Sequence, residues 1–341
     1  MTPRETLSYK LLLIFHVMKG LRGMDESIAI FSHYGYSSYL QHTLRCARKT
    51  NPDARLIFLG DKDNAEIARS CGWEHHLFKG RDDAVHSRFN TVFRHVCGRD
   101  HGSFKNGQDW LRFVFERWFY INEFLNENSI SSFWHFDSDT MILDDLAPHR
   151  RALSEFDYTV QCNGICLNGF IKSVVVSEFC DHICTLFEDR DYISRQQQEF
   201  DSTSPTFAFT EMRAFKDYSL RSCRPYRHLL YYRDDLCFDD CICQDHGFQM
   251  VRLPLGETVK KVDAREGKFY GQRDGRPVRF VTLNLSWVPE YVFRWVLSGV
   301  DGSNSSIEQS APWGTRLLGL TPYVRTRRLA SAVKYSLLTK R

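Results

Sequence analysis

The sequence lacks the long apolar run that a membrane-spanning helix requires. A span needs roughly 18–20 consecutive apolar residues, and the best N-terminal candidate, residues 11–15, is interrupted by His16 and Lys19. No small-residue cleavage site follows this segment, so we expect neither a signal peptide nor a membrane anchor. These absences predict a cytoplasmic protein, and residues 1–23 are interpreted as an extension that precedes Met24.

The cysteine spacing of zinc ribbons and zinc knuckles is also missing. Among eleven cysteines there is no C-x2-C pair, the spacing that such sites favour. The spacings present are C-x3-C at positions 162/166 and 180/184 and C-x3-C-x-C at positions 237/241/243. Because the cysteine count is odd and no secretion signal is expected, we interpret the cysteines as free thiols in a reducing compartment. A metal cluster is the alternative.

An excess of one charge is absent from most of the chain. The 45 Lys and Arg residues and 42 Asp and Glu residues give a net charge of +3, so no nucleic-acid partner is expected. Residues 313–341 differ, because they carry seven cations and no acid; removing these seven charges from +3 leaves −4 for the remainder. This basic, amphipathic segment predicts peripheral contact with an anionic inner-membrane surface. The alternative is a basic helix packed on the domain, or a partly disordered tail.

The first part of the chain alternates between strand and helix patterns. With 43% apolar residues the chain can bury a sizeable core. Strands are predicted at 27–34, 55–59 and 76–78, with helices at 36–47 and 64–71, and this order is typical of a parallel sheet. Ligands bind at the carboxyl ends of such strands, which makes His33, Tyr34 and Asp61 candidate binding residues. For His33 the alternative is a loop histidine without a ligand.

A strongly amphipathic helix is predicted after an irregular loop at 81–108. Its apolar stripe runs from Trp110 to Leu125, and Arg117 lies within that stripe. A buried arginine requires an anionic partner, which is either a core carboxylate or a diphosphate. Arg112, on the flank of the stripe, is a competing candidate for the diphosphate contact. Further strands are predicted near 158–161 and 278–285, and further helices near 174–188 and 207–217.

Two aspartates follow a short apolar strand at 133–136. Asp137 and Asp139 are two positions apart, so a regular strand would direct both carboxylates to one face. Oxygen ligands of this kind suit Mg²⁺ or Mn²⁺ and leave coordination positions for phosphate oxygens. An ordinary acidic turn is the alternative, since D-x-D is a short motif.

Several short motifs occur in a characteristic order along residues 27–290. They are His33, Tyr39-Leu40, Leu59-Gly60-Asp61, Phe115-Glu116-Arg117-Trp118-Phe119, Phe136-Asp137-Ser138-Asp139, Asn163-Gly164, Asn168-Gly169, Thr210-Glu211-Met212 and Asp235-Leu236-Cys237-Phe238-Asp239. In this order the chain resembles the nucleotide-sugar-dependent glycosyltransferases of the GT-A fold. The closer likeness is to a bacterial group, associated with polysaccharide and surface glycans, that carries "LDSD", "SDM", "D-x-x-FD" and "LHFQG".

The resemblance implies a fold, an activity and roles for individual residues. The fold would be an α/β GT-A domain at 24–300, with a mixed, mostly parallel sheet flanked by helices and a basic tail at 301–341. The activity would be hexosyl transfer from a nucleotide sugar, by analogy a UDP-sugar, to a glycan or lipid-linked acceptor.

Glu211 would orient or deprotonate the acceptor hydroxyl, with Asp235 as the second candidate. The alternatives are a helix N-terminal charge for Glu211 and a solvated turn for Asp235. The implied metal ligands are Asp137, Asp139 and Asn284, and the implied donor-binding residues are His33, Tyr34, Asp61, Arg112, Arg117, Asp137, Ser138 and Asn168.

One departure from the group's motifs bears on the metal site. Where the group has "LHFQG", this chain has Leu-Asn-Leu-Ser-Trp at 283–287, so Asn284 replaces a histidine that often completes the site. An amide oxygen is a poorer ligand than imidazole for Mn²⁺, and His246 is a possible substitute. A catalytically silent sugar-nucleotide-binding relative is therefore the main alternative. A haloacid-dehalogenase-type phosphohydrolase is disfavoured, because Met141 stands where that motif requires Thr or Val.

Overall fold

The computed structural model describes residues 27–78, 83–101, 109–254 and 256–310. The predicted extension at 1–23 lies outside the described residues, as does the basic segment at 313–341. No helix of the described residues is both long and apolar enough to cross a membrane.

The larger sheet has seven strands and confirms the predicted mixed, mostly parallel α/β architecture. Its strands are β1 (Ile28–Ser32), β2 (Arg55–Gly60), β3 (Glu74–Leu77), β4 (Ser132–His135), β6 (Tyr158–Gln161), β7 (Cys166–Lys172) and β8 (Tyr226–His228). Their order in the sheet is β3-β2-β1-β4-β7-β6-β8. Strands β3, β2, β1 and β4 are mutually parallel, β7 is antiparallel to both β4 and β6, and β8 is parallel to β6.

A second sheet lies next to the first and is joined to it through the D-S-D segment. Its order is β15-β12-β13-β14-β5, with β9 parallel to β14, and β10 and β11 pair separately. Strand β5 follows β4 after only four residues and pairs antiparallel with the end of β14. The D-S-D segment therefore lies where the two sheets meet. The strands are β5 (Thr140–Ile142), β9 (Leu236–Phe238), β10 (Met250–Arg252), β11 (Thr258–Lys260), β12 (Asp263–Arg265), β13 (Lys268–Arg273), β14 (Arg276–Asn284) and β15 (Ser305–Ser306).

Helices pack on the sheets and bury the apolar stripes that the sequence predicts. The long predicted helix begins at Asp109 and ends at Glu127, and its central residues from Val114 to Leu125 line the largest core cluster. Trp110 departs from the prediction, because it is 51% exposed. The helices are α1 (Leu40–Thr50), α2 (Ala65–Ser70), α3 (Ala84–Val92), α4 (Asp109–Glu127), α5 (Ala147–Leu153), α6 (Ser173–Glu188), α7 (Arg190–Ser202), α8 (Glu211–Arg221) and α9 (Glu290–Val300).

The predicted loop at 81–108 is wrong over 84–92, where the chain forms α3. Asp83 caps this helix, since its carboxylate accepts the Val85 N–H at 2.9 Å. Phe89 and His86 are its buried residues. A helix whose buried face includes a histidine gives no clear apolar period, which is why the sequence pattern indicated a loop.

His86 anchors α3 through two carboxylates of α4. Its Nδ1 lies 2.5 Å from Glu123 Oε1, and its Nε2 lies 3.2 Å from Glu116 Oε1. Burial alone would lower the pKa of His86, but the hydrogen bonds and charges of the two glutamates outweigh it and raise the pKa to about 9. The imidazole is therefore protonated in the folded protein at neutral pH, and it forms a buried charge-assisted contact between the two helices.

The free energy of unfolding is expected to depend on pH through His86. The pKa of about 9 in the folded protein exceeds the ordinary histidine pKa of 6.5, so this stabilisation is fully present below pH 6.5 and is lost as pH rises through 9. Urea unfolding of wild type and His86→Gln at pH 6, 7.5 and 9 measures this effect. At pH 6 the free energy of unfolding of His86→Gln should be lower than that of wild type by at most about 3 kcal/mol. The difference should shrink towards pH 9. A difference that is constant or grows with pH would contradict a protonated His86.

Candidate active site where the two sheets meet

The D-S-D segment is a tight turn fixed from both sides. The Thr140 N–H donates to the Asp137 carbonyl at 2.9 Å, and the Leu285 N–H donates to the Asp139 carbonyl at 3.1 Å. The first bond closes the turn after β4, and the second ties it to the end of β14. The backbone thus brings the predicted site residues Asp137, Asp139 and Asn284 to one place.

Arg117 joins two of the predicted site carboxylates. Its guanidinium donates to Asp137 Oδ1 at 2.8 Å and to Glu211 Oε1 at 2.9 Å, and the side chain is 13% exposed. Of the two partners considered for Arg117 from the sequence, the structure shows the core carboxylate. Burial would raise the pKa of Asp137, yet the Arg117 charge outweighs it and holds this pKa below the usual range. Asp137 is therefore an anion in the folded protein.

Glu211 is the first residue of α8 and is almost fully buried beside Arg117. Burial raises the pKa of its carboxyl group to about 7, although the charge of Arg117 opposes this shift. A carboxyl group that titrates near neutral pH can accept or donate a proton during a reaction. Glu211 also lies in the first turn of α8, so its position agrees with the helix N-terminal charge as well as with the acceptor-activating role.

Asp139 carries the least satisfied carboxylate of the cluster. Its Oδ2 accepts the Ser286 hydroxyl at 2.8 Å, whereas its Oδ1 is buried and has no hydrogen-bond partner among the described residues. Burial and, secondly, the neighbouring Asp137 charge raise the pKa of Asp139 to about 6. An unpaired buried carboxylate oxygen is costly unless a cation or a proton satisfies it.

Asn284 is linked to Asp139 through Ser286. The Asn284 amide oxygen accepts the Ser286 N–H at 3.0 Å and lies 2.6 Å from the Ser286 hydroxyl. Because that hydroxyl has one proton, it can donate to Asn284 or to Asp139 but not to both. When the hydroxyl donates to Asp139, the Asn284 amide oxygen still accepts the Ser286 N–H.

The donor atoms at this site suit a hard divalent cation. Carboxylate and amide oxygens converge, and Oδ1 of Asp139 is buried with no hydrogen-bond partner among the residues that the structure describes. Within the described ranges, no group of three or more His, Cys, Asp and Glu side chains is arranged to hold a metal. Mg²⁺ is commonly held by one or two carboxylates together with substrate phosphates, so the residues fit such an ion when a diphosphate supplies the remaining ligands.

The carboxyl ends of β1 and β2 flank the D-S-D turn. His33 Nδ1 lies 2.8 Å from the Ser138 hydroxyl, which also contacts the Tyr39 hydroxyl at 3.2 Å. Burial lowers the pKa of His33 to about 4, so its ring is neutral. Asp61 accepts the Gly35 N–H at 2.5 Å and therefore fixes the loop after β1. The structure thus brings the predicted site residues His33 and Ser138 into contact.

Asn168, on β7, lies on the other flank of the turn. It lines a small cavity of about 10 Å³ together with Arg117, Asp137 and Glu211, which is room for about one water molecule. Its buried side-chain amide lies beside the Asp137 carboxylate. Against the effect of burial, and with the larger contribution of Arg117, this amide helps to hold the pKa of Asp137 low.

Three predicted site residues make contacts away from the D-S-D turn. Arg112 pairs with Glu116 at 3.1 Å. Tyr34 is 54% exposed, and its ring lies 5.6 Å from that of Phe113. Asp235 is exposed and pairs with Arg233 at 3.1 Å. These contacts do not link the three residues to the aspartates of the turn.

Sequence reasoning did not include Asp239 and Lys260 among the site residues. Both are fully buried, and Lys260 Nζ lies 2.6 Å from Asp239 Oδ1. The other oxygen of Asp239 accepts the Asn284 N–H at 3.3 Å. The second aspartate of the "D-x-x-FD" motif, rather than the first, therefore supports the end of β14. Its position after the apolar strand β9 was the available signal, because Asp137 also follows an apolar strand.

Asp240 is a further buried acid that the sequence analysis left out. It is 2% exposed, its Oδ2 accepts the Asn163 N–H at 3.0 Å, and its Oδ1 has no hydrogen-bond partner among the described residues. Burial raises its pKa to about 6, although the Asn163 N–H opposes the shift. Asp240 therefore fixes the turn between β6 and β7, the strand that carries Asn168.

The sequence matches no protein-family model and no curated protein sequence. Two solved structures resemble the fold weakly. The glycosyltransferase GlyE of Streptococcus pneumoniae TIGR4 is 10% identical, with a TM-score of 0.29, over 60% of this chain and 45% of that chain. The PaToxG glycosyltransferase is 9% identical, with a TM-score of 0.30, over 64% of this chain and 86% of that chain. The match thus spans less than half of GlyE, and likenesses of this size carry no argument about activity.

Replacing Arg117 by Met is expected to destabilise the protein by about 3–5 kcal/mol, because two buried carboxylates lose their cation. Urea unfolding at pH 8 measures the effect. The matched control is Arg221→Met, since Arg221 is 68% exposed and pairs with Asp217; because water screens such a surface pair, its loss should be far smaller than that of Arg117→Met. Equal losses in the two variants would show that the Arg117 contacts contribute little.

The two aspartates of the "D-x-x-FD" motif should respond differently to neutralisation. Asp239→Asn leaves the buried Lys260 charge uncompensated and should cost about 3–5 kcal/mol, whereas the exposed Asp235→Asn should change stability by less than about 0.5 kcal/mol. Thermal and urea unfolding measure both variants. Adding Lys260→Met to Asp239→Asn should recover part of the loss, and no recovery would contradict the buried pair.

Proposed function

We propose that this chain is a metal-dependent glycosyltransferase of the GT-A type. It would transfer a hexosyl group from a nucleoside-diphosphate sugar, with UDP as the nucleotide, to a hydroxyl of a glycan or lipid-linked acceptor. The observation that carries the proposal is the buried Oδ1 of Asp139, which has no hydrogen-bond partner within the described ranges and lies beside the Arg117-linked carboxylates. The order of motifs along residues 27–290 supports the same reading.

The chain's oxygens would hold Mn²⁺ or Mg²⁺ together with the diphosphate of the donor. Asp139 is the principal ligand, because its free oxygen needs a cation; Asp137 and Asn284 flank it. When bound, the ion would act as a Lewis acid that offsets charge on the departing nucleoside diphosphate. The protein's own contribution is to keep Asp137 ionised through Arg117 and to orient Asp139 through Ser286.

Glu211 is the proposed acceptor-activating residue. Its pKa of about 7 allows it to exist as a base at neutral pH and to take a proton from the acceptor hydroxyl. Arg117 holds the carboxylate in position through the 2.9 Å contact. Asn168 and His33 lie on either side of the turn and would face the donor. Both ring nitrogens of His33 are already bonded to hydroxyl groups, of Ser138 and Ser37, so His33 would act by positioning Ser138.

A silent sugar-nucleotide-binding relative is the second candidate, and two contacts favour it. Arg117 already occupies one oxygen of Asp137, and Ser286 already occupies the amide oxygen of Asn284. Because these two oxygens are already hydrogen-bonded, fewer protein oxygens would be available to coordinate the ion. Metal-dependent turnover of a donor distinguishes the two candidates, because the silent relative would bind nucleotides without hydrolysing or transferring them.

The cellular setting is proposed from the sequence. A cytoplasmic catalytic domain at 24–300 would meet lipid-linked acceptors at the inner membrane surface through the basic segment at 313–341, whose seven cations suit anionic lipids.

Slow hydrolysis of nucleotide sugars tests the proposed activity. The full chain is incubated with UDP-, GDP- and CDP-sugars and Mn²⁺, Mg²⁺ or EDTA, and released nucleotide is measured. One donor should be turned over only with metal, and Asp139→Asn should lower that rate at least about 100-fold. The control is Asp53→Asn, because Asp53 is an exposed aspartate in the turn before β2; it should retain the wild-type rate.

Turnover that persists in EDTA, or equal rates for Asp139→Asn and wild type, would contradict the metal-dependent mechanism. Nucleotide binding without any turnover would favour the silent relative.

A further inference from the structure

Cys162 and Cys166 stand at the two ends of the turn between β6 and β7. Cys162 follows β6 directly, and Cys166 is the first residue of β7. Cys166 also lines the small cavity that Asp137 and Glu211 line. Alternate residues of a strand point to one face, which places Cys166 on the same face of β7 as Asn168, another residue of the cavity wall. One of the two thiols therefore belongs to the wall of the candidate active site.

The two thiols are in contact with each other. The side chains of Cys162 and Cys166 are hydrogen-bonded, and this contact, together with burial, raises the pKa of the Cys166 thiol. The Cys162 thiol also donates to the carbonyl oxygen of Asp240 at 3.8 Å. Both cysteines are free and partly exposed. Sulfur atoms that are already in contact reach the disulfide bond length of about 2.0 Å with a small movement.

The backbone of the turn keeps the two cysteines close. Cys162, Asn163 and Gly164 have φ angles of +53°, +57° and +85°, so three consecutive residues are left-handed. This conformation reverses the chain between β6 and β7, and the strand register pairs the residue before Cys162 with Cys166. Asp240 fixes the turn, because its carboxylate accepts the Asn163 N–H at 3.0 Å. The proximity of the two thiols is therefore built into the folded turn.

The same C-x3-C spacing occurs at Cys180 and Cys184, in a different setting. These two cysteines lie in α6 and are completely buried in the core. An oxidant dissolved in water reaches a buried thiol only when the protein opens, whereas a partly exposed thiol is accessible in the folded state. Of the two pairs, Cys162 and Cys166 therefore combine mutual contact with access.

We infer that Cys162 and Cys166 form a reversible thiol–disulfide modification site in the wall of the candidate active site, with a small disulfide such as oxidised glutathione as the oxidant. One protein thiolate attacks a sulfur of the oxidant, whose S–S bond breaks and releases one glutathione thiolate. The second protein thiolate then attacks the resulting mixed disulfide and releases the second glutathione. The two thiol protons end on the released glutathione molecules, so two glutathione thiols form for each protein disulfide. The inference does not depend on the proposed function, because it concerns the two thiols alone.

Peptide mapping after oxidation tests the inference. The folded full chain is incubated with oxidised glutathione at neutral pH, quenched with acid, alkylated with N-ethylmaleimide in denaturant and digested with trypsin. Cleavage after Arg151 and Lys172 gives residues 152–172 as one peptide that contains both cysteines. This peptide should lose both alkyl labels and weigh two hydrogen atoms less than the reduced peptide. Dithiothreitol added before alkylation should restore both labels.

Two comparisons control for access and for pairing. Residues 173–190 form the next tryptic peptide and contain Cys180 and Cys184; because both thiols are buried, this peptide should lose its labels at least about tenfold more slowly. In Cys162→Ser and in Cys166→Ser, the internal disulfide of residues 152–172 should be absent. Thermal unfolding of each variant checks that it is folded before oxidation.

Three results would overturn the inference. If residues 152–172 keep both labels after oxidation of the wild type, the two thiols do not close a disulfide. If the two peptides lose their labels at equal rates, oxidation follows unfolding of the chain and not the geometry of the turn. If the disulfide joins Cys162 to Cys241, which follows Asp240 in the sequence, the assigned pair is wrong.

Discussion

The buried guanidinium of Arg117 is the contact on which the candidate site depends. It joins Asp137, which follows β4, to Glu211, which begins α8, with distances of 2.8 and 2.9 Å. Without this cation, two carboxylates would be buried together, and burial alone would drive both towards the neutral form. Because Arg117 lies on the buried face of α4, the helix that packs on the sheet also sets the charge state of the site.

The remaining carboxylate, Asp139, is held by hydrogen bonds alone. Ser286 occupies one of its oxygens, and the other is buried and unpartnered in the described residues. The two aspartates differ in their partners: Asp137 pairs with the guanidinium of Arg117, whereas the buried Oδ1 of Asp139 has no hydrogen-bond partner among the described residues. The buried Asp239–Lys260 pair fixes the end of β14 next to Asp139, because Asp239 accepts the N–H of Asn284.

Local patterns in the sequence predicted much of the fold. The apolar runs at 28–32 and 55–60 form strands because they are buried on both faces of a parallel sheet, and the 3.6-residue stripe of α4 predicted the longest of the described helices. Helix α3 was missed because its buried face includes His86, whose partners Glu116 and Glu123 lie some 30 to 37 residues further along the chain. Contacts between residues so far apart in the sequence produce no local periodicity from which the helix could be predicted.

At the site, too, the sequence predicts what depends on neighbouring residues and not what depends on distant ones. The apolar run before Asp137, Ser138 and Asp139 predicts their position at the end of a buried strand, and the cost of an unpaired buried charge predicts an anionic partner for Arg117. The sequence does not show that Glu211 is such a partner, because Glu211 lies 94 residues from Arg117. For the same reason the sequence indicates Asp235 and not Asp239 as a candidate: only the path of β9 beside β14 shows which aspartate of that motif is buried.

The most direct test of a cation site at Asp139 is the electron paramagnetic resonance spectrum of Mn²⁺ titrated into the full chain with and without UDP. Protein and UDP together should remove one equivalent of the free six-line Mn²⁺ signal beyond what UDP alone removes, and Asp139→Asn should leave that signal in place. If the free signal is the same with wild type as with Asp139→Asn, while UDP binds to both, the carboxylates of the D-S-D turn do not form the proposed cation site.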